Sequence, residues 1–306
     1  MIQKLKNQMK EYFVGRESVA EDILVCLLAG GHVLLEDVPG VGKTTLARIL
    51  AGSISCDFGR IQFTPDTLPG DVVGTSVYNP KTGEFTYREG AVMHQIVLAD
   101  EINRTSPKTQ ASLLEAMAEG RVTVDGTTYE LPQPFMVIAT QNPVEFLGTY
   151  PLPEAQMDRF MMRLSIGYPE ETEELRLAKN FLSGKTVETV EGVCTAADIL
   201  QMREQVEAVT MSDGMIAYIR EIIRLSREET CFVLGASPRA MLSLIRAAQA
   251  KAFIMGRDYT KPDDVKAVAI PVLHHRLSLT PEAKIRGEDV DHLLQETIRK
   301  VAIPME

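Results

Sequence analysis

The sequence predicts an α/β protein: a parallel β-sheet with two β-hairpin inserts, followed by an all-helical domain. Three observations carry this. Short apolar runs alternate with helical segments over residues 1–166. Two glycine-containing segments with β-prone arms interrupt that alternation. Beyond Tyr168-Pro169 the apolar residues recur with helical spacing only.

The runs are HVLLE (32–36), RIQFT (60–64), QIVLAD (95–100), FMVIAT (135–140) and RFMMRLSI (159–166). Strands separated by helices pair in parallel, because a parallel connection must cross over the sheet. Near-continuous apolar strands fit a sheet covered on both faces. The helix that follows Gly15-Arg16-Glu17 should stop near Gly30-Gly31. Residues 75–90 carry Pro80 and Gly83 between β-prone arms, and residues 121–132 carry Asp125-Gly126, a strong hairpin signal. Both read as hairpins inserted into the α/β part.

Later in the chain Ile199, Met202, Val206 and Val209 share a helical face. Ser237-Pro238 reads as an N-cap followed by proline at the first helical position, and Gly256 as the stop. Pro271 is expected to end or kink the next helix. The expected division is a nucleotide-binding domain over 1–168 and a helical lid over 169–306. A chain of 306 residues suits two domains.

Hydrophobic residues make up 45% and charged residues 24%, the values of an ordinary globular protein. The net charge of −10 argues against a surface given over to nucleic acid. The four cysteines form no CxxC motif and read as reduced core thiols of a cytoplasmic protein. The opening MIQKLKNQMKEYF is amphipathic and charged, unlike a signal peptide, and no apolar run is long enough to span a bilayer.

The chemistry begins at HVLLEDVPGVGKTTLARIL (32–50). A strand, a Pro/Gly loop, Gly42-Lys43-Thr44 and a helix follow in the order that a phosphate-binding loop needs. The cradle expected around ATP is Pro39, Gly40, Val41, Gly42, Lys43, Thr44 and Thr45, with backbone N–H groups and the helix N-terminus facing the phosphates. Lys43 should reach the β- and γ-phosphates, and the Thr44 hydroxyl should ligate Mg²⁺. One position departs from the pattern GxxxxGK[ST]: Asp37 stands where the first glycine belongs.

The strand QIVLA delivers Asp100-Glu101, a Walker B pair. Asp100 is expected to hold Mg²⁺ and Glu101 to orient and polarise the attacking water. FMVIAT ends in Gln141-Asn142-Pro143, which places an amide where it can touch both the γ-phosphate and that water. Arg159 stands between an acidic residue and an aromatic just before a strand. Arg104, just past Walker B, reads equally as a sensor of an adjacent subunit or as half of a salt bridge. His274 and His275 lack the spacing and partners of a metal site.

Together these residues resemble the AAA+ superfamily and, within it, the MoxR family. The matching strings are LEDVPGVGKT (35–44), QFTPDTLPGDVVG (62–74), LADEINR (98–104), TQNPVEFLGTYPLPEAQMDRF (140–160) and GASPRA (235–240). The resemblance implies that Asp37 is usual at its position and that the hairpins are the inserts of this clade. It implies sensor 1 for Asn142, an arginine finger for Arg159, sensor 2 for Arg239, and an adenine contact for Val14 and Gly15. It further implies a hexameric ring with a chaperone-like remodelling role and a separate partner containing a von Willebrand factor A domain. The alternative is a DNA-acting motor or loader. The hairpin at 121–132 sets Arg121 against Asp125 and Glu130 and shows no basic stripe for that task.

Overall fold

A computed structural model of the chain describes residues 1–143, 148–184 and 186–304. The elements run α1 (Ile2–Tyr12), α2 (Glu17–Leu28), β1 (Val33–Glu36), α3 (Lys43–Ser53), β2 (Phe58–Gln62), α4 (Pro69–Val73), β3 (Thr75–Asn79), β4 (Glu84–Arg88) and β5 (Ile96–Asp100). Then come α5 (Pro107–Glu119), β6 (Arg121–Val124), β7 (Thr127–Glu130), β8 (Met136–Gln141), α6 (Glu154–Met157) and β9 (Met162–Leu164). The remainder is α7 (Glu171–Leu182), α8 (Ala196–Glu207), α9 (Asp213–Glu228), β10 (Phe232–Leu234), α10 (Pro238–Ile254), α11 (Pro262–Leu273), β11 (Ser278–Leu279), α12 (Pro281–Ile285) and α13 (Val290–Lys300).

The chain forms two compact units. The first comprises residues 1–21, 32–159 and 164–200, and the second residues 22–31, 160–163 and 201–306. Residue 168, the boundary expected from the sequence, lies inside the first unit.

The first unit is built on a five-stranded sheet in the order β2-β5-β8-β1-β9. The pairings β2 with β5, β5 with β8, and β8 with β1 are parallel. Val97, Leu98 and Ala99 of β5 and Val137, Ile138 and Ala139 of β8 are fully buried, as strands covered on both faces must be. Helix α5 starts where Ser106 accepts a bond from the Thr109 N–H with Pro107 at its first position, and it stops at Gly120, whose φ is 65°. Asp125 and Gly126 both take positive φ and close the β6–β7 hairpin. The second hairpin, β3–β4, pairs Thr75 with Arg88 through to Asn79 with Glu84. Tyr87 of β4 stacks on Tyr129 of β7 with ring centroids 4.0 Å apart, so the two inserts touch each other. Residues 187–194 strap across the P-loop helix: the N–H groups of Val193 and Cys194 both donate to the Ser53 carbonyl that ends α3. The Tyr12 hydroxyl and the Gln8 amide fasten the same strap through the carbonyls of Thr189 and Glu191.

In the second unit, Ile219, Ile222, Leu244, Ala248, Val268 and Val272 form the buried core of α9, α10 and α11. Ser237 caps α10 as expected, accepting from the Ala240 N–H. Helix α11 runs two residues past Pro271, to Leu273, and gives way to a 3₁₀ turn over 274–276. One detail differs from the sequence reading. The region is not purely helical: β10 and β11 pair antiparallel, Phe232 with Leu279 and Leu234 with Ser278. Strands of three and two residues are too short for any periodicity to reveal.

His275 and Arg276 are buried in this unit. His275 Nε2 lies 3.0 Å from the Phe160 carbonyl, and burial drives its pKa well below an ordinary histidine's. Arg276 donates to the carbonyls of Phe160, Met161 and Val272. His274 pairs with Asp291. The cysteines are all free thiols, with burial pushing Cys26 up strongly and Cys194 up to about 11. Among the described residues no helix is long and apolar enough to cross a membrane.

Candidate nucleotide site

Strand order decides the site. β8 lies between β1 and β5, with Glu36 level with Gln141 and Ala99 level with Ala139. The loop after β1, the Asp100-Glu101 pair ending β5 and Asn142 after β8 therefore emerge along one carboxyl edge of the sheet. Ligands of open α/β sheets bind at that edge.

Gly40 and Gly42 take φ of 87° and 92°, a left-handed conformation that disfavours side chains. Gly42 is also the N-cap of α3, and Lys43, Thr44 and Thr45 form its first turn. That turn directs its open N–H groups and partial positive charge toward the loop. Pro39 and Gly40 are exposed, and Val41 to Thr44 half-buried.

Asp37 is not among the positive-φ residues, so its backbone does not require the glycine of the consensus. Its buried carboxylate accepts from the N–H groups of Ile166 and Gly167 and from the Ser165 hydroxyl. Its N–H donates to the Gln141 carbonyl at 3.3 Å, and its carbonyl accepts from Lys43 Nζ at 2.8 Å. Burial lowers the pKa of Lys43, and the charges of Asp37, Asp100 and Glu101 oppose that shift.

Thr140 organises the acidic pair from β8. Its hydroxyl donates to Asp100 Oδ1 at 2.7 Å and accepts from the Glu101 N–H at 2.9 Å. Arg60 holds the other Asp100 oxygen at 2.7 Å. Glu101 sits in a left-handed conformation (φ 57°, ψ 51°) rarely adopted by non-glycine residues, a placement that concentrates at functional sites. Its Oε2 accepts from Gln62 Nε2 at 2.8 Å and from Arg104 Nη1 at 3.0 Å. For Arg104 the structure thus provides the salt-bridge alternative. Arg60, Gln62 and Thr140 were missed by the sequence reading. Arg60 and Gln62 share one face of β2 through the two-residue period, but only the order β2-β5-β8 brings that face beside β5.

The other expected residues are more dispersed. Asn142 is buried, and its carbonyl accepts from Asn103 Nδ2 at 3.3 Å. Arg159 is half-buried and donates to the Leu114 carbonyl of α5 at 2.8 Å. Val14 is half-buried and Gly15 buried in the turn between α1 and α2. Arg239 belongs to the second unit, exposed at the second residue of α10. The Thr44 hydroxyl and the Asp100 carboxylate are hard oxygen donors of the kind Mg²⁺ takes alongside phosphate oxygens and water. Among the described residues there is no cluster of three or more His, Cys, Asp or Glu able to hold a metal by itself.

Residues 32–162 match the family described as ATPase family associated with various cellular activities (AAA), and residues 224–297 match the AAA lid domain. The chain is 50% identical to an uncharacterized Bacillus subtilis protein, YeaC, over 100% of this chain and 96% of that one. It is 39% identical to Chaperone MoxR1 of Mycobacterium tuberculosis, over 97% of this chain and 81% of the relative. The crystal structure of a candidate ATPase from Cytophaga hutchinsonii superposes with a TM-score of 0.92 at 40% identity, covering 99% of this chain and 95% of that one. These likenesses run along nearly the whole of the chain, and it belongs to the MoxR family of AAA+ ATPases.

Proposed function

We propose that the chain binds ATP with Mg²⁺ and hydrolyses it as one subunit of a ring, coupling turnover to the remodelling or assembly of partner proteins. The observation that carries this reading is strand order: β8, between β1 and β5, brings the loop of Lys43 and the Asp100-Glu101 pair to one carboxyl edge of the sheet. Lys43, whose ammonium has three donors, would keep the Asp37 carbonyl and reach the β- and γ-phosphates with the others. Thr44 and Asp100 would hold Mg²⁺, which on binding neutralises charge that develops on the phosphates. Glu101 would orient the attacking water, with Asn142 beside it. Val14 and Gly15 would contact the base, and Arg239 would serve as sensor 2.

The chaperone reading draws on the name of the Mycobacterium tuberculosis relative. A hexamer, a separate partner with a von Willebrand factor A domain and a cytoplasmic location complete the proposal. Nucleic acid has no place in it. The net charge is −10, and Arg121 on the β6–β7 hairpin is itself paired with Glu119 at 3.4 Å.

The test measures phosphate release and oligomer mass together, with and without ATP and Mg²⁺. We expect Mg²⁺-dependent turnover by an oligomer, abolished in Lys43→Ala. Turnover that persists in that variant, or survives chelation, would refute the assignment. An affinity capture with Glu101→Gln in ATP then asks which protein the ring holds.

A further inference from the structure

We infer that Asp37 is a positioning residue that ties the phosphate-binding lysine to the backbone behind Val14-Gly15, fixing the spacing between the two ends of the nucleotide site. This rests on the reading above, in which the base lies against that turn. Asp37 is 6% exposed, and a carboxylate is seldom buried so far unless it is fully engaged. Here it is engaged entirely with one segment: it accepts from Ser165 Oγ at 3.0 Å, from the Gly167 N–H at 3.1 Å and from the Ile166 N–H. The same residue's carbonyl receives the Lys43 ammonium at 2.8 Å.

The segment it grips lies behind the expected base contact. A Cβ placed on Gly15 would stand 3.6 Å from Ile166 Cγ2, and one placed on Gly167 would stand 3.4 Å from the Arg16 guanidinium. Residues 166 and 167 thus back residues 15 and 16, while Asp37 holds 166 and 167 by their backbone. One residue spans from lysine to base turn: its main-chain carbonyl holds Lys43, and its carboxylate holds the Ser165 hydroxyl and two main-chain N–H groups. An asparagine would keep the shape but lose the charge and offer only one acceptor oxygen to three donors.

The experiment is a double-mutant cycle of Asp37→Asn and Ser165→Ala, read as the dissociation constant of a fluorescent ATP analogue. Inorganic tripolyphosphate serves as a competitor that engages the phosphate end alone. Thermal melts without ligand report folding. Loss of charge-assisted hydrogen bonds is expected to weaken ATP binding about tenfold in Asp37→Asn and two- to threefold in Ser165→Ala. The double variant should lose less than the product of the two, since both act on one carboxylate. Tripolyphosphate affinity should stay within about twofold, because the lysine itself is intact. Ser165→Ala leaves the charge and both backbone bonds in place, so it decides the matter alone should Asp37→Asn fail to fold. ATP affinity unchanged in either folded variant, losses that simply multiply, or an equal loss for tripolyphosphate and ATP would each overturn the tie. Absence of ATP binding by the wild-type chain would instead refute the nucleotide reading itself.

Discussion

The side-chain amide of Gln62, the last residue of β2, donates to the carboxylate of Glu101 across 2.8 Å, joining two neighbouring strands at their carboxyl ends. Arg104 reaches the same oxygen from the turn that follows β5. Glu101 is therefore aimed by its neighbours as well as by its backbone. Glu101→Gln keeps the size of the side chain and removes the charge that polarises water. We expect turnover to fall at least about a hundredfold, with ATP affinity within about threefold of wild type. Steady-state kinetics beside equilibrium binding provides the check, and near-normal turnover would remove Glu101 from its assigned role.

Lys43 gives a pH dependence with a definite sign. Burial lowers its pKa in the folded chain, while in the unfolded chain it keeps the ordinary value of 10.5. Between those two values the unfolded state binds more protons, so rising pH stabilises the nucleotide-free fold through this group. The melting temperature of wild type minus that of Lys43→Ala should climb as pH rises from 7 toward 10. A flat difference would show that the ammonium carries no burial penalty.

Arg159 contacts the Leu114 carbonyl within its own chain, yet we expect it to act on a neighbouring subunit's nucleotide. Arg159→Ala should bind ATP without turning it over, losing about a thousandfold or more in rate. Mixing it with Lys43→Ala should restore part of the activity, because some interfaces then combine an intact P-loop with an intact arginine. If mixed oligomers form by light scattering and stay inactive, Arg159 is a structural residue.

Tyr129→Ala removes the stack on Tyr87 that joins the two hairpins. Aromatic pairs contribute about 0.5–1.5 kcal/mol beyond their burial, so a modest loss of global stability should follow. The sharper readout is hydrogen exchange over residues 75–88, which should quicken although the substitution lies in the other hairpin. Unchanged exchange there would mean that the inserts are mechanically independent.

Most of the fold was legible because its signals are local. The five runs became the five sheet strands, the second displaced by two residues and the fifth shorter by three residues at its start and two at its end, and Asp125-Gly126 closed its hairpin where expected. Lys43, Thr44, Asp100 and Glu101 could be nominated because motif spacing is itself a sequence property. What stayed hidden depends on strand order. Arg60 and Gln62 touch Asp100 and Glu101 from β2, and Thr140 reaches both acids from β8, some 40 positions away in each case. The partners of Asp37 lie more than 120 positions downstream. Nothing in the local pattern marks such pairs. The β10–β11 ladder escaped for another reason, since so few residues carry no period.

The strap over residues 187–194 bears on where this polypeptide can be divided. A fragment ending at residue 168 would strip two amide donors from the Ser53 carbonyl and lift Val190 away from Gly52 at the end of the P-loop helix. It would also sever the ties of Gln8 and Tyr12, both in α1, to the carbonyls of Glu191 and Thr189. Cutting near Leu200 spares all of these contacts. The shortest severable piece that keeps the phosphate loop on its intact support thus carries roughly thirty residues beyond the last strand of the sheet, residues that a motif search would have discarded as linker.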